Sequence, residues 1–387
     1  MRLTTSLEGL RGSVSACLKC HGCTYGPWPQ NHGFCPIYER GRTFTASAGG
    51  LLYLAKAILN GQMDYNASLA ELAYTCATCG ACDARCSIVR SINPEMALSD
   101  MIRLLRYELV KRGFAPDGPV KEMYEQVKKS GDLPSNGRAK SLPIPRDKGQ
   151  TDMLLVADCL HTDAEASACT AALSLLAKMD TRVAVCAESG CCGSTLYDFG
   201  FWDELPALVA KQWRKIQSFG NKVLLFVNPH CQEFMTNKYP KILNGEFRRF
   251  QGKHISEALL DGLTQGKLKT KKMSKMTVSY HDPCFLGRGL GLYEPPRQVL
   301  EHLDGVHLVE MKRNREQSFC CGARGLGNYF DNFSEDTAKA RVKEFLDTKA
   351  DVMITACAYC KEGFRKVMGS EAERVQDLTE FVGQRVE

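Results

Sequence analysis

The sequence predicts an α/β protein in which a mainly helical N-terminal region precedes two copies of a parallel-sheet module. Three observations lead to this prediction. Beyond residue 150, short apolar runs alternate with helix-length segments, which is typical of βαβ units. Cysteine motifs recur at a nearly constant offset in the two halves of that region. The first third of the chain instead shows helical periodicity around two groups of cysteines.

The overall composition excludes several classes of protein. With 387 residues, 44% hydrophobic and 24% charged, the chain has the balance of a globular protein with two or three domains. The net charge is +6, and we interpret the basic run KLKTKKMSK at 267–275 as a solvated connector, because no nucleic-acid motif accompanies it. The N-terminus lacks a signal-peptide core, and no stretch approaches about 18 uninterrupted apolar residues. We therefore expect a cytoplasmic protein that neither spans a membrane nor binds nucleic acid.

The 19 cysteines are the unusual feature of the composition. In a reducing compartment such thiols seldom form disulfides, so their number favours metal or redox chemistry. Their spacing distinguishes between these two possibilities.

The first third of the chain contains two cysteine motifs with ferredoxin spacing. The second motif, CATCGACDARC at 76–86, has the complete bacterial run, in which the fourth cysteine ligates the other [4Fe–4S] cluster. One predicted cluster therefore has the ligands Cys17, Cys20, Cys23 and Cys86. The other has the ligands Cys76, Cys79, Cys82 and Cys35. Two features depart from the usual run: eleven residues separate Cys23 from Cys35, and Ser87 follows Cys86 in place of a proline. A pair of zinc sites is the alternative interpretation.

Two segments near these motifs have the apolar periodicity of amphipathic helices, at 45–61 and 94–113. We expect these helices to form the scaffold around the clusters. A stretch rich in Gly, Pro, Ser and charged residues at 128–150 has the composition of a linker. The predicted domains are residues 1–127, 151–265 and 266–387.

The region beyond the linker contains an internal repeat. Six strand-like runs occur there: DMLLVADC, RVAVC, VLLFVNPHC, TVSYHDPC, VHLVEM and DVMITAC. The corresponding cysteine positions, at offsets of 125, 129 and 129 residues, are Cys159 and Cys284, the Cys191–Cys192–Gly193 and Cys320–Cys321–Gly322 triplets, and Cys231 and Cys360. The shared offset indicates two copies of one module that face each other.

Four of these cysteine sites directly follow a predicted strand. Ligands bind at the carboxyl ends of strands in open α/β sheets, so the fold would gather distant cysteines into one pocket per module. The glycine after each pair lets the backbone approach an inorganic cluster, because it has no Cβ. Adjacent cysteines do not suit a disulfide, since neighbouring Cα atoms are about 3.8 Å apart and a bridge needs roughly 4.4–6.8 Å. They also lack the C-x₂₋₄-C spacing that tetrahedral zinc favours.

The cysteine pattern of these modules resembles the cysteine-rich, CCG-domain iron–sulfur proteins, in particular the catalytic subunits of heterodisulfide reductase. The family pattern is a lone cysteine, a CCG triplet and a CxxC pair, which the second module matches, with Phe285 where a histidine is common. A ferredoxin-like N-terminus fused to two CCG modules is the arrangement of the D-type subunit. The resemblance implies a non-cubane [4Fe–4S] cluster on five cysteines, which are also catalytic if disulfide chemistry occurs. These are Cys284, Cys320, Cys321, Cys357 and Cys360.

The first module departs from the family pattern, because Asn228 stands where the first cysteine of the CxxC pair belongs. The remaining thiols are Cys159, Cys191, Cys192 and Cys231. We expect them to hold a further, conventional [4Fe–4S] cluster, with an altered non-cubane cluster or no cluster as alternatives. His230 is either a substitute ligand or, as we prefer, a packing or hydrogen-bonding neighbour.

The other notable features are interpreted as structural. Cys169 and Cys186 are expected to be small buried hydrophobic residues. The sequence GRGLG at 287–291 is only a weak phosphate-loop pattern, since no dinucleotide signature accompanies it. The charged patch at 312–316 is expected at the surface.

The predicted clusters imply electron transfer, and no flavin, nicotinamide or haem motif is present in the sequence. We expect an electron-transfer subunit of a multi-subunit anaerobic oxidoreductase, which relays electrons from two cubane clusters to the CCG clusters. The resemblance implies a flavoprotein partner similar to the A-type subunit of heterodisulfide reductase, another redox subunit, or a membrane quinone or cytochrome subunit that would bring the chain to the membrane. Related D-type subunits serve flavin-based bifurcating assemblies, including class II benzoyl-coenzyme A reductases.

Two other functions stay open at this point. A catalytic heterodisulfide (thiol–disulfide) reductase needs intact CCG sites, and Asn228 interrupts one of them; whether the chain is itself an enzyme is therefore open. A zinc-binding interaction module is the minor alternative, and it would be colourless and free of iron.

Overall fold

A computed structural model of the protein describes residues 5–25, 33–86, 91, 97–131, 142, 151–157, 163–186, 190–220, 223–323 and 331–387. Cys159, Ser87 and nearly all of the predicted linker lie outside these residues. The domain boundaries stay a prediction.

The N-terminal region is helical, as the sequence predicts. Its described α-helices are α1 (Arg11–Ser15), α2 (Pro36–Gly41), α3 (Ala48–Leu59), α4 (Ala67–Tyr74), α5 (Ala81–Arg85), α6 (Leu98–Lys111) and α7 (Pro119–Ser130). Helices α3 and α6 are the two that apolar periodicity predicts. Ser47 and Asn66 begin α3 and α4, because their side chains accept the N–H groups of Gly50 and Leu69.

The rest of the chain forms two modules, each with a four-stranded parallel sheet. The first contains β1 (Met153–Val156), α8 (Asp163–Lys178), β2 (Val183–Cys186), α9 (Ser194–Phe199), α10 (Leu205–Gln217), β3 (Val223–Phe226), α11 (Pro229–Asn237), α12 (Tyr239–Leu243), β4 (Gln251–His254) and α13 (Ile255–Thr264). The second contains β5 (Met276–His281), a π-helical turn (Phe285–Gly289), α14 (Glu294–His302), β6 (Val306–Val309), α15 (Asp331–Asp347), β7 (Val352–Thr355), α16 (Ala358–Met368), β8 (Val375–Asp377) and α17 (Leu378–Arg385).

The strand order is the same in both modules. It is β2-β1-β3-β4 in the first sheet and β6-β5-β7-β8 in the second. This common topology confirms the α/β fold and agrees with the internal repeat. The six strands predicted from apolar runs are present, whereas β4 and β8 are additional edge strands with the polar sequences QGKH and VQD. Such sequences carry no apolar run, so periodicity does not reveal them.

Shared hydrophobic cores hold the parts together. One core includes Leu105 of the N-terminal region and Phe199 of the first module. Another includes Leu225 of β3 and Ile354 of β7, so it joins the two modules. Helices α8 and α17 also meet there, and the Thr379 hydroxyl donates to the Ala168 carbonyl at 3.1 Å. Burial of apolar surface, the main stabilising contribution in folding, therefore fixes the cysteine-bearing loops relative to one another.

Two charged segments differ in their exposure. The lysines of 267–275 are exposed, as a solvated connector requires. The surface prediction for 312–316 is wrong for Arg313, which is only 7% exposed, donates to the Gly33 carbonyl and pairs with Glu344. A guanidinium is tolerated inside a protein when carbonyl and carboxylate oxygens accept its N–H groups.

Among the described helices, none is both long and apolar enough to cross a membrane.

Candidate iron–sulfur centres

The two N-terminal cysteine loops share an unusual backbone. Left-handed φ values occur at matching positions, at Lys19 (57°) and Thr78 (45°), and again at His21 (56°) and Gly80 (69°). Outside glycine, such values cost of order 1–3 kcal/mol and persist where the surrounding structure determines them. These turns curl the backbone around the three closely spaced cysteines of each motif, as ligation of a single cluster would require.

The fourth cysteine of each motif interacts electrostatically with the other motif. Burial, together with the charges of Cys76 and Cys79, raises the pKa of Cys35 to about 12. Burial, with contributions from Cys86 and Cys17, raises the pKa of Cys23 to about 11. Cys35 thus interacts with the second loop, and Cys86 with the first. This proximity supports the exchanged ligand sets, and the thiols fit iron–sulfur ligation if metal displaces their protons.

Two arginines of α6 hold the second loop in place. Arg106 donates to the Cys76 carbonyl, and Arg103 donates to the Thr78 carbonyl at 3.2 Å. Both also reach the first module, where Arg103 pairs with Asp198 at 2.6 Å and Arg106 donates to the Asp198 carbonyl at 2.7 Å. Sequence reasoning missed both residues, because an arginine in an amphipathic helix looks like part of a solvated face.

In the second module, the five predicted cysteines converge beyond the carboxyl ends of β5 and β7. The sulfur atoms of Cys321 and Cys360 are 3.1 Å apart. The thiol of Cys320 also interacts with those of Cys284 and Cys321, and the thiol of Cys357 interacts with that of Cys360. Four of these thiols are buried and Cys284 is half-buried, and none of the five forms a disulfide with another described residue. The set of thiols fits a compact thiolate-ligated cluster.

The glycine after the cysteine pair has a conformational role. Gly322 has a φ of 73°, and a Cβ there would lie 2.8 Å from the Cβ of Thr337. Its N–H donates to the sulfur of Cys320 at 3.3 Å, and Gly193 donates to the sulfur of Cys191 at the same distance. The left-handed turn and the nearby helix α15 therefore both require glycine at this position. The close approach of a cluster, which the sequence predicts, would be a further reason.

A buried histidine faces the cysteine pair. The Nδ1 atom of His281, the last residue of β5, accepts a hydrogen bond from Nε of Arg341 at 3.1 Å. An arginine only donates, so the ring proton resides on Nε2. His281, Cys321 and Cys360 offer ligand atoms within 4.8 Å of one another. Interactions with Cys320, with Cys360 and then with His281 hold the pKa of Cys321 well below its usual value, against the effect of burial.

The second N-terminal loop meets the second module at Cys79 and Cys320. The interaction with Cys320, and then the charge of Arg288, lowers the pKa of Cys79 to about 6 against the effect of burial. Arg288 also donates to the Cys79 carbonyl at 2.9 Å and to the Glu316 and Ser318 carbonyls at 3.1 and 2.7 Å. The GRGLG segment thus forms a turn whose arginine binds protein carbonyls and joins two predicted ligand loops.

A cleft of about 640 Å³ opens at this junction. All three parts of the chain contribute to its walls, including Cys79 from the N-terminal region and Cys284 from the second module. Four basic and four acidic residues line it: Arg103, Lys238, Lys241, Arg288, Asp83, Asp100, Glu233 and Glu316. A small molecule in this cleft would lie against predicted ligands of two different clusters.

The described part of the first module has a similar frame, in which Asn228 stands at the position of Cys357. The sulfur atoms of Cys192 and Cys231 are 3.5 Å apart, which parallels the second module. Asn228 and Cys357 each precede the helix that follows the third strand of their module. Asn228 caps its helix, because Oδ1 accepts a backbone N–H at 3.0 Å while Nδ2 donates to the buried Glu165 at 2.8 Å. Cys357 makes no such capping bond.

The side chains around this site are well packed. His230 contacts Phe285 and Tyr359 of the second module, with ring centroids 4.6 and 4.8 Å apart. This arrangement agrees with the packing interpretation of His230. Cys169 and Cys186 are buried, as the sequence predicts.

Comparison with known proteins defines the class of the chain. The cysteine-rich domain family designated CCG matches residues 156–236 and 278–365. The D-type subunit of the dihydromethanophenazine:CoB–CoM heterodisulfide reductase of Methanosarcina acetivorans is 30% identical over 394 residues, covering 96% of this chain and 93% of that protein. The protein thus contains two cysteine-rich domains and is similar over nearly its whole length to an oxidoreductase subunit. The chain belongs to the family of heterodisulfide reductase D-type subunits.

More distant relatives share parts of this organisation. The B-type subunit of the fumarate reductase (CoM/CoB) of Methanothermobacter marburgensis is 25% identical, with coverage of 90% of this chain and 67% of that protein. The EtfAB:quinone oxidoreductase of Syntrophomonas wolfei is 28% identical over 52% of this chain and 29% of that protein. A solved structure of a hypothetical protein from Helicobacter pylori covers 98% of this chain and 72% of its own, with a TM-score of 0.58 and 13% identity, which shows a likeness of fold alone.

Proposed function

We propose that the chain is an iron–sulfur electron-transfer subunit of a multi-subunit redox complex. In this proposal the two ferredoxin-type motifs hold cubane clusters, the second module holds a non-cubane cluster through its five cysteines, and the first module holds a further [4Fe–4S] cluster. When bound, such clusters exchange single electrons at potentials set by cluster type, hydrogen bonds to sulfur and solvent exposure.

The junction between the loop of Cys79 and the loop of Cys320 carries this proposal. Cys79 is a predicted ligand of one cubane cluster and Cys320 of the non-cubane cluster. The close approach of these two loops would give electrons a short route from the N-terminal region to the second module. Arg288 reinforces the contact, because it binds the Cys79 carbonyl together with the carbonyl of Ser318, two residues before Cys320.

The partners belong to the same proposal. The relatives are named as subunits or oxidoreductases that act with quinones, coenzyme thiols or electron-transfer flavoproteins. We therefore propose that the neighbour of this chain is a flavoprotein or another redox protein, within a soluble complex or next to a membrane quinone or cytochrome subunit.

The cleft favours a second candidate function, the reduction of a disulfide. Cys284 is half-buried and lines a cleft large enough for a small molecule. A disulfide bound there would lie beside a predicted ligand of the non-cubane cluster. In that case an added disulfide would oxidise the reduced protein rapidly, and the product thiol would alter the EPR signal of one cluster only.

Iron and sulfide analysis of anaerobically purified protein, with EPR during stepwise oxidation, tests the proposed cluster content. Four filled sites predict about sixteen irons, at four per [4Fe–4S] cluster. A value near twelve would mean that the Asn228 module holds no cluster and serves as scaffold. A colourless protein with zinc and no iron would refute the electron-transfer function.

A further inference from the structure

The first cysteine loop carries an exposed apolar surface. Six large hydrophobic residues are exposed in the described part of the chain, and three of them are Leu18, Phe44 and Tyr53, at 70%, 49% and 48%. Cys20, a predicted ligand in the same loop, is exposed as well. A cluster held by this loop would therefore lie close to the surface, next to side chains that prefer to be covered.

Contacts join these residues into one patch, which we call the Leu18 face and define as Leu18, Lys19, Cys20, Phe44 and Tyr53. The ammonium of Lys19 lies 4.1 Å from the centre of the Tyr53 ring. The ring of His21, next to Cys20, packs at a tilt against the ring of Phe44, with the ring centroids 3.9 Å apart. Tyr53 and Phe44 thus contact the two residues on either side of the exposed Cys20, and Leu18 lies two residues before it in the same loop.

The surroundings of this face are basic. Residues 5–25 and 33–60 contain five Lys or Arg residues and two Glu residues, a net charge of +3. Both glutamates already pair with arginines, in Arg11–Glu8 and Arg42–Glu39, and Arg40 pairs with Asp336 of the second module. Lys19 and Lys56 consequently add positive charge that neither carboxylate offsets. A second copy of this chain would present the same charge, so like-charge repulsion disfavours self-association through this face.

We infer that the Leu18 face docks a small acidic electron-carrier protein, and this inference rests on the proposed function. The apolar centre would cover the exposed edge of the first cysteine loop, and the basic surroundings would steer an acidic carrier towards it. Contacts between electron carriers are typically small and transient, and complementary charge raises their association rate more than their affinity. The carrier gives one electron to the first cluster and leaves oxidised by one electron.

Stopped-flow reduction of the anaerobic holoprotein by a reduced, acidic plant-type [2Fe–2S] ferredoxin tests this inference. We expect Lys19→Glu to lower the second-order rate constant about tenfold at low ionic strength. The difference should shrink in high salt, because charges are screened beyond about 8–10 Å near physiological ionic strength. Leu18→Ser should lower the rate at every salt concentration, because it removes apolar contact and not charge.

Two matched variants serve as controls. Lys272→Glu makes the same charge change in the exposed connector, and Leu346→Ser removes an exposed leucine side chain in the second module. Both should react at the wild-type rate. Iron content should be unchanged in all four variants, since none of these residues is a predicted ligand.

Equal rates for Lys19→Glu and wild type would overturn the inference, and so would an equal fall in Lys272→Glu. It would also be overturned if dithionite reduced the holoprotein while ferredoxin did not. None of these results affects the cluster content. A protein without iron would instead refute the proposed function itself.

Discussion

Replacement of Arg288 tests how the junction between Cys79 and Cys320 works. Arg288→Gln keeps a hydrogen-bond donor near the Cys79 carbonyl and removes one positive charge. At an effective dielectric constant near 20, a unit charge about 4 Å away contributes about 4 kcal/mol. An added electron spreads over a whole cluster, so we take half of this value, about 2 kcal/mol. With about 59 mV per tenfold change for a one-electron couple, the midpoint potentials of the two adjoining clusters should fall by about 90 mV.

Redox titration followed by EPR measures these potentials cluster by cluster. Arg288→Lys keeps the charge and should stay near the wild-type values, which separates charge from hydrogen-bond geometry. The cubane cluster assigned to Cys17, Cys20, Cys23 and Cys86 should keep its potential in both variants. Wild-type potentials in Arg288→Gln would refute the reasoning. An equal fall in both variants would attribute the effect to the carbonyl hydrogen bonds and not to the charge.

Three further predictions follow from buried side chains. His281→Leu should lower the midpoint potential of the second-module cluster, because a hydrogen bond to cluster sulfur stabilises the reduced state. His281→Gln can still donate a hydrogen bond and should lower the potential less. Unchanged potentials in EPR titrations of both variants would contradict this role. Asn228→Cys should cost about 1 kcal/mol of stability through the lost helix cap. It should also change the EPR spectrum of the first-module cluster towards that of the second module. An unaltered spectrum would show that the missing thiol does not determine the type of cluster in the first module. Burial raises the pKa of Asp377 to about 6, so its neutral form favours the folded state below about pH 4, and that stability is lost as the pH rises towards 6. The free energies of unfolding of wild type and Asp377→Asn, measured by denaturant titration, should therefore diverge by about 1 kcal/mol between pH 5 and pH 7, and parallel pH profiles would contradict the assignment.

The sequence predicts the cysteine-bearing frame well, because that frame depends on local patterns. Apolar runs predict six of the eight described strands, and the offset of 129 residues between Cys231 and Cys360 predicts the repeated module. Parallel strands bring their carboxyl ends to one edge of a sheet. The convergence of the thiols that follow β5 and β7 can therefore be predicted from the positions of strands and cysteines in the sequence.

The arginines at the site are beyond such reasoning. Arg103, Arg288 and Arg313 each bind carbonyl groups far away in sequence, and no local pattern records that distant partner. The same limit applies to the contact between Cys79 and Cys320, which depends on how the N-terminal helices pack against both modules. Tertiary packing decides these features.

Asn228 shows a third situation, in which the sequence reveals a difference but not its physical meaning. The pattern of the second module marks Asn228 as a missing thiol. The structure adds that its side chain caps α11 and binds Glu165. The first module thus has a more stable helix start at the position where the second module has a predicted ligand.

The most direct test of the account follows electrons from the N-terminal region into the second module by rapid-freeze EPR. Cys320→Ala and Cys191→Ala are matched variants, because the two cysteines occupy the same position in the two modules. We predict that the cubane signals pass to the second-module centre in wild type and in Cys191→Ala, and persist without transfer in Cys320→Ala. Transfer that survives in Cys320→Ala and fails in Cys191→Ala would contradict the route through Cys79 and Cys320.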